Sequence, residues 1–94
     1  MSNTKFTPGP YVVERIKKGE YYVKGEGSRL CLIEWLEHHD TEARANADLF
    51  AAAPELYEAL EKIINAPSAS DIFFLIPTAK AALAKARGEK TDEK

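Results

Sequence analysis

The segment that most constrains this chain is Ala45-Asn46-Ala47-Asp48-Leu49-Phe50-Ala51-Ala52-Ala53-Pro54-Glu55-Leu56-Tyr57-Glu58-Ala59-Leu60-Glu61. It reads as an alanine-rich helix, a proline break, and a second helix with its own apolar stripe. Alanine combines the best helix propensity with the smallest side chain, so such a helix can lie very close to another backbone. Close packing of this kind belongs to a scaffold or a helix interface and supplies no chemistry of its own.

A chain of 94 residues suits one domain with one modest core. The formal net charge of -2 is too near balance to favour nucleic acid globally. Locally, Lys5, Arg15, Lys17, Lys18, Lys24 and Arg29 outnumber Glu14, Glu20, Glu26 and Glu34, which reads first as a solvated sheet face. Cys31 is the only cysteine, which excludes an internal disulfide and fits a reducing compartment. No apolar run reaches the roughly 20 residues of a membrane span, and the opening Met1-Ser2-Asn3-Thr4-Lys5 lacks an apolar signal core. The expectation is a cytoplasmic protein without a membrane partner.

The order of elements follows from punctuation. Residues 1–10 form an extended lead in which Pro8-Gly9-Pro10 forbids helix. Residues 11–16, 21–24 and 29–35 are β-rich and are separated by the polar turns Lys17-Lys18-Gly19-Glu20 and Gly25-Glu26-Gly27-Ser28, which predicts an antiparallel meander. In the third strand Cys31, Ile33 and Trp35 share one side, and Leu30, Leu32 and Glu34 the other. Apolar residues on both sides predict a central strand, with one face under the helices. The other face is left for Phe6, the lead or a second subunit. A first helix begins at Asp40 or Thr41, either a competent cap, and turns Ala43, Ala47 and Phe50 inward with Leu49 beside them. Pro54 suits the first turn of a second helix whose stripe is Leu56, Leu60 and Ile63 or Ile64. A third helix, capped by Ser70 or Asp71, runs to Arg87 with Ile72, Phe73, Ile76, Ala79, Leu83 and Ala86 inward. Pro77 kinks or splits it, and Gly88 ends it. The fold class is α+β, a three-stranded antiparallel meander followed by two or three packed helices. Residues 11–88 form the domain, and 89–94 a disordered tail.

Few residues suggest chemistry. Glu37-His38-His39-Asp40 resembles a ligand cluster, yet adjacent histidines diverge on an extended chain and a metal needs three or four converging donors. The cluster reads better as a polar loop with a helix cap. Cys31 with His38 or His39 suggests a nucleophile and base, but a strand cysteine between Leu30 and Leu32 is expected to be buried and inert. Gly25-Glu26-Gly27-Ser28 lacks the lysine and the strand-to-helix context of a phosphate loop. Glu55, Glu58, Glu61 and Lys62 mark the wet side of a helix. No catalytic residue, metal ligand or cofactor site is assigned. What remains is the interleaving of Tyr11, Tyr21, Tyr22 and Trp35 with Arg15, Lys24 and Arg29. Cross-strand packing produces such a pattern, and so does a surface that stacks on single-stranded nucleic acid or a nucleotide. Tyrosine and arginine dominate binding hot spots, so Tyr11, Arg15, Tyr21, Tyr22 and Arg29 are the candidate contact residues.

The opening Thr7-Pro8-Gly9-Pro10-Tyr11-Val12-Val13, together with the junction from Asn46 through Ala51-Ala52-Ala53-Pro54-Glu55-Leu56 to Leu60, resembles a group of small bacteriophage and prophage proteins. Tyr11 replaces the tryptophan expected there, and Phe50 an isoleucine. The resemblance implies a phage accessory protein working in the host cytoplasm and implies no catalytic residue. Small proteins of that kind often act as binders, including inhibitors of host defence and sponges for signalling nucleotides. The expectation is therefore a non-enzymatic protein that binds a host macromolecule, most plainly a host protein and alternatively a nucleotide or single-stranded nucleic acid. Apolar residues on both sheet faces further predict a two-fold homodimer.

Overall fold

The computed structural model describes residues 6–35 and 37–89. Three strands, β1 (Val12–Lys17), β2 (Glu20–Gly25) and β3 (Ser28–Glu34), form an antiparallel sheet in the order β1-β2-β3. A short 3-10 turn at Glu37–His39 leads into α1 (Asp40–Ala51), which is followed by α2 (Ala53–Ile64), α3 (Ala69–Phe74) and α4 (Ile76–Ala86). The α+β class and the meander are as the sequence predicts. Of the expected lead, residues 1–5 lie outside the described part. So does the expected tail beyond Glu89.

Both hairpin turns hinge on glycine. Gly19 and Gly27 each sit at φ 82°, a left-handed conformation that a side chain disfavours. Correcting the sequence reading, β2 is the central strand and β3 an edge. Apolar residues on both faces of β3 therefore do not record burial on both faces. Cross-strand partners share a face, so the registers Arg15↔Tyr21↔Ile33 and Val13↔Val23↔Cys31 define one side, and Glu14↔Tyr22↔Leu32 with Lys24↔Arg29 the other.

α1 covers the first of these faces. Tyr21, Val23 and Ile33 pack against Ala43, Ala47 and Ala51, with Tyr11 and Val13 at the margin. The inward stripe is thus spaced by four residues and made of alanine. Phe50 and Leu49, expected at the core, are exposed. The remaining helices repeat the pattern. Pro54 and Ala59 are the buried residues of α2, and Ala82 that of α4. Leu60, Ile72, Phe73, Ile76 and Leu83, all expected inward, are exposed, and of the alternatives Ile63 and Ile64 the first is half-buried and the second exposed. Among the described residues the largest fully buried side chain is Val23, while all four phenylalanines are exposed. Backbones brought together by alanine leave no volume between them for leucine or phenylalanine.

Pro77 splits the third predicted helix. Leu75 separates α3 from α4, and the proline occupies the first turn of α4, where its missing N–H breaks no helical bond. The cap of α3 is Ser68 rather than Ser70 or Asp71, its hydroxyl accepting from the Asp71 amide at 3.3 Å. Gly88, at φ 79°, ends α4 as expected: its N–H donates to Lys85 C=O, and that of Glu89 to Ala84 C=O, both at 2.9 Å. Lys85 joins α4 to α2 through Glu55 at 3.0 Å. The lead runs against α2 rather than beneath the sheet. Phe6 meets Tyr57 edge to face at 5.1 Å, and Gly9 lies so close to Pro54 that a Cβ would come within 2.9 Å.

Candidate functional site

The five candidate contact residues divide between the two faces of the sheet. Tyr21 is only 2% exposed and belongs to the core under α1. Its hydroxyl donates to Asp40 Oδ1 at 2.8 Å, and the same oxygen accepts the Gly19 amide at 2.6 Å. Asp40 therefore does not cap α1, which has no side-chain cap. It ties the β1–β2 turn to the first residue of the helix. The Gly19 amide, and after it the Tyr21 hydroxyl, hold the Asp40 carboxyl below the usual carboxylate range. Burial, and then the bond to Asp40, push the Tyr21 phenol up. Tyr11 is half-buried beside the same core, and its hydroxyl donates to Thr7 C=O at 2.6 Å. Arg15 is exposed but stands opposite Tyr21, on the α1 side of the sheet.

Tyr22 and Arg29 lie together on the open face. The Arg29 guanidinium sits 4.2 Å from the centre of the Tyr22 ring, a cation–π stack. Glu14, opposite Tyr22 in the ladder, reaches Arg29 at 3.4 Å and Lys24 at 3.7 Å. Lys17 and Glu20 pair at 3.6 Å further along. The centre of the face is a four-residue group, Glu14, Tyr22, Lys24 and Arg29, bordered by exposed Val12 and Leu32. It is not the bare apolar patch that the strand pattern suggests. Lys24 was noted in the sequence pattern but not among the five candidates, and Glu14 is the member that sequence reasoning missed altogether. The turn at Lys18-Gly19 alone would set Arg15 opposite Tyr22; the irregular step between Arg15 and Lys17 shifts the register by one and sets Glu14 there, a shift the sequence does not announce.

The other sequence candidates fall elsewhere. Cys31, expected buried, is exposed, because β3 is an edge strand. His38 and His39 do not diverge. The 3-10 turn brings their rings to 4.4 Å, with the Trp35 ring 6.2 Å from His39. Among the described residues no group of three or more His, Cys, Asp or Glu side chains is placed to hold a metal ion. A cleft of about 420 Å³ between α2 and α4 is lined chiefly by Glu55, Glu58, Thr78, Ala82, Lys85 and Glu89.

The fold and this surface define a small α+β protein with an ordered Tyr–Arg–Lys–Glu group on an open sheet, and no described helix is long and apolar enough to cross a membrane. The chain belongs to the family described as Salmonella phage P22 protein Y8K6, whose model matches residues 1–90. It is a small phage protein. No curated protein and no solved structure matches it.

Proposed function

We propose that this phage protein acts in the host cytoplasm as a non-enzymatic accessory factor and binds a host protein through the open sheet face. The observation that carries the reading is the Arg29–Tyr22 stack held by Glu14. Arginine and tyrosine are enriched among the residues that dominate interface energies. Side chains already fixed in one geometry lose less entropy when a partner docks. Interference with a host defence component is one role such binding serves.

Charge on the face favours a protein over the alternative, a nucleotide or single-stranded nucleic acid. Glu14 lies between the two cations, and Glu20 and Glu34 stand on the same side. A phosphate chain would meet these carboxylates at each step, whereas a protein surface of mixed charge can match them.

The test is capture from host lysate on immobilised protein, comparing wild type with a double variant carrying Tyr22→Ala and Arg29→Ala. Both side chains are at least partly exposed, so the variant is expected to fold, as checked by circular dichroism. The reading requires a host protein retained by the wild type and lost by the double variant, with no binding to labelled single-stranded oligonucleotide. Capture unchanged by the double variant, or salt-sensitive oligonucleotide binding, overturns it.

A further inference from the structure

The two edges of the sheet are unlike. β1 carries Glu14, Arg15 and Lys17 along its length, and charge is a device that keeps an edge from pairing. Each edge has one irregular step, between Arg15 and Lys17 in β1 and at Leu30 in β3. β3 presents Leu30-Cys31-Leu32-Ile33 without a charge, and the charged residues Arg29 and Glu34 flank that run. Leu30, Cys31 and Leu32 are all exposed.

We propose that β3 is the pairing edge for a second copy of this chain, added antiparallel about a two-fold axis normal to the sheet, so that two meanders become one six-stranded sheet. Three observations choose this occupant. The first is backbone polarity. The Trp35 amide donates to Gly19 C=O at 2.8 Å, and hydrogen-bonded pairs alternate along an antiparallel ladder. Ile33 and Cys31 therefore bond inward to β2, and the amides and carbonyls of Leu32 and Glu34 point to the free edge. A two-fold centred on Leu32 sets Leu32 opposite its own copy and Cys31 opposite Ile33 of the second chain, within the regular part of β3.

The second is charge. β3 is basic at its start and acidic at its end, so antiparallel self-pairing brings unlike ends together, whereas a parallel copy would bring like ends together.

The third is the helix layer. Arg44 and Asp48 line a recess with Tyr11, Val12 and Val13, which places that flank of α1 over β1. At 100° per residue Asn46 and Phe50 occupy the opposite flank, over β3. Two copies of α1, each above its own β2, would stand three strand spacings or about 14 Å apart. Direct helix contact needs about 8–10 Å. The gap leaves room for side chains of this flank, on which Asn46 and the 48% exposed Phe50 stand.

The test is light scattering of the full chain at micromolar concentration. The expected mass is twice the 10.5 kDa of the chain. Leu32→Pro deletes an amide that β2 does not use, so it leaves the hairpin bonds intact and should give a folded monomer. Leu32→Lys, at a residue 44% exposed, places like charges opposite each other and should weaken association at least tenfold without unfolding the chain. Leu60→Lys, on the exposed stripe of α2, should leave the dimer unchanged. A monomeric wild type, a dimer that survives both Leu32 variants, or one lost on Leu60→Lys overturns the proposal.

Discussion

Replacing Ala47 with tryptophan tests the packing logic of the whole fold. Ala47 is 0% exposed, and its cluster neighbours Ala43, Tyr21 and Val23 are exposed by at most 2%. An indole at that position has no open volume to enter, so α1 must lift from β2 or the sheet must distort. Over-packing of a filled core costs about 1–3 kcal/mol and occasionally more. The upper end applies here, because the neighbours include a central strand and not a mobile surface loop. A domain of this size loses roughly 4–8 °C of midpoint per kcal/mol, so a fall of about 10–20 °C is expected. Ala45→Trp is the control. It makes the same change in helix propensity on the exposed side of α1, where substitutions typically stay within about 0.5 kcal/mol. Thermal unfolding followed by circular dichroism reads both. Equal midpoints for the two variants would refute the claim that the alanine stripe is the contact surface of α1.

Gly88→Ala should cost about 1–2 kcal/mol, from the left-handed conformation alone, and more because the new Cβ would strike the Asp48 carboxylate. Gly27→Ala, at a similar φ but facing open space, should cost less, and a pair of denaturant titrations separates them. The Asp40 carboxyl is held low by Gly19 and Tyr21, so its contribution is complete above the unfolded value of about 3.9 and is lost as pH falls through the lower folded value. Asp40→Asn should therefore flatten the acid limb of the stability profile below about pH 4. Tyr21→Phe should remove an alkaline loss that sets in as pH passes the ordinary phenol value of about 10, where the unfolded chain gives up this proton and the folded phenol, its pKa raised, still holds it. His38→Ala and His39→Ala should leave partner capture unchanged, since both rings lie on the 3-10 turn and neither belongs to the open-face group.

The strands were legible because their boundaries are written in turn chemistry. Gly19 and Gly27 supply backbone conformations that other residues resist, and the flanking β-rich runs have little alternative. The helix start at Pro54 and the stop at Gly88 were legible for the same reason, whereas at Pro77 the sequence left a kink and a split both open. Inward faces were legible only in part. Ala43 and Ala47 are inward as read, but a pattern reading gives weight to large apolar side chains and so turned Phe50, Leu60 and Leu83 to the core, whereas the contacts select Ala51, Ala59 and Ala82. The placement of β3 as a central strand failed similarly, because apolar residues on both sides of β3 describe either a covered strand or an uncovered edge. The open-face group was half visible. Tyr22 and Arg29 stand out by type, but their separation from Tyr21 and Arg15 needs the register, which a single residue of slip would invert.

Small residues inside have a consequence for the outside. When alanine sets the distance between α1 and the sheet, the large apolar side chains of the helices are displaced to the flanks and ends, where they are exposed. β3 and the Phe50 flank of α1 are two such surfaces side by side. Pairing there would extend the sheet and leave its open face untouched, since Arg29 leans back over Tyr22 of the central strand and is tied to Glu14 of the far strand. Two copies of the Tyr22–Arg29 group would then stand on one continuous platform, both facing the same way. A partner that is itself two-fold symmetric would engage both groups at once, and the second contact would be intramolecular and correspondingly cheap. Self-association and partner binding, as proposed, would use different surfaces of the same sheet and would reinforce each other. Loss of the dimer should weaken capture of such a partner without altering a single residue of the contact group.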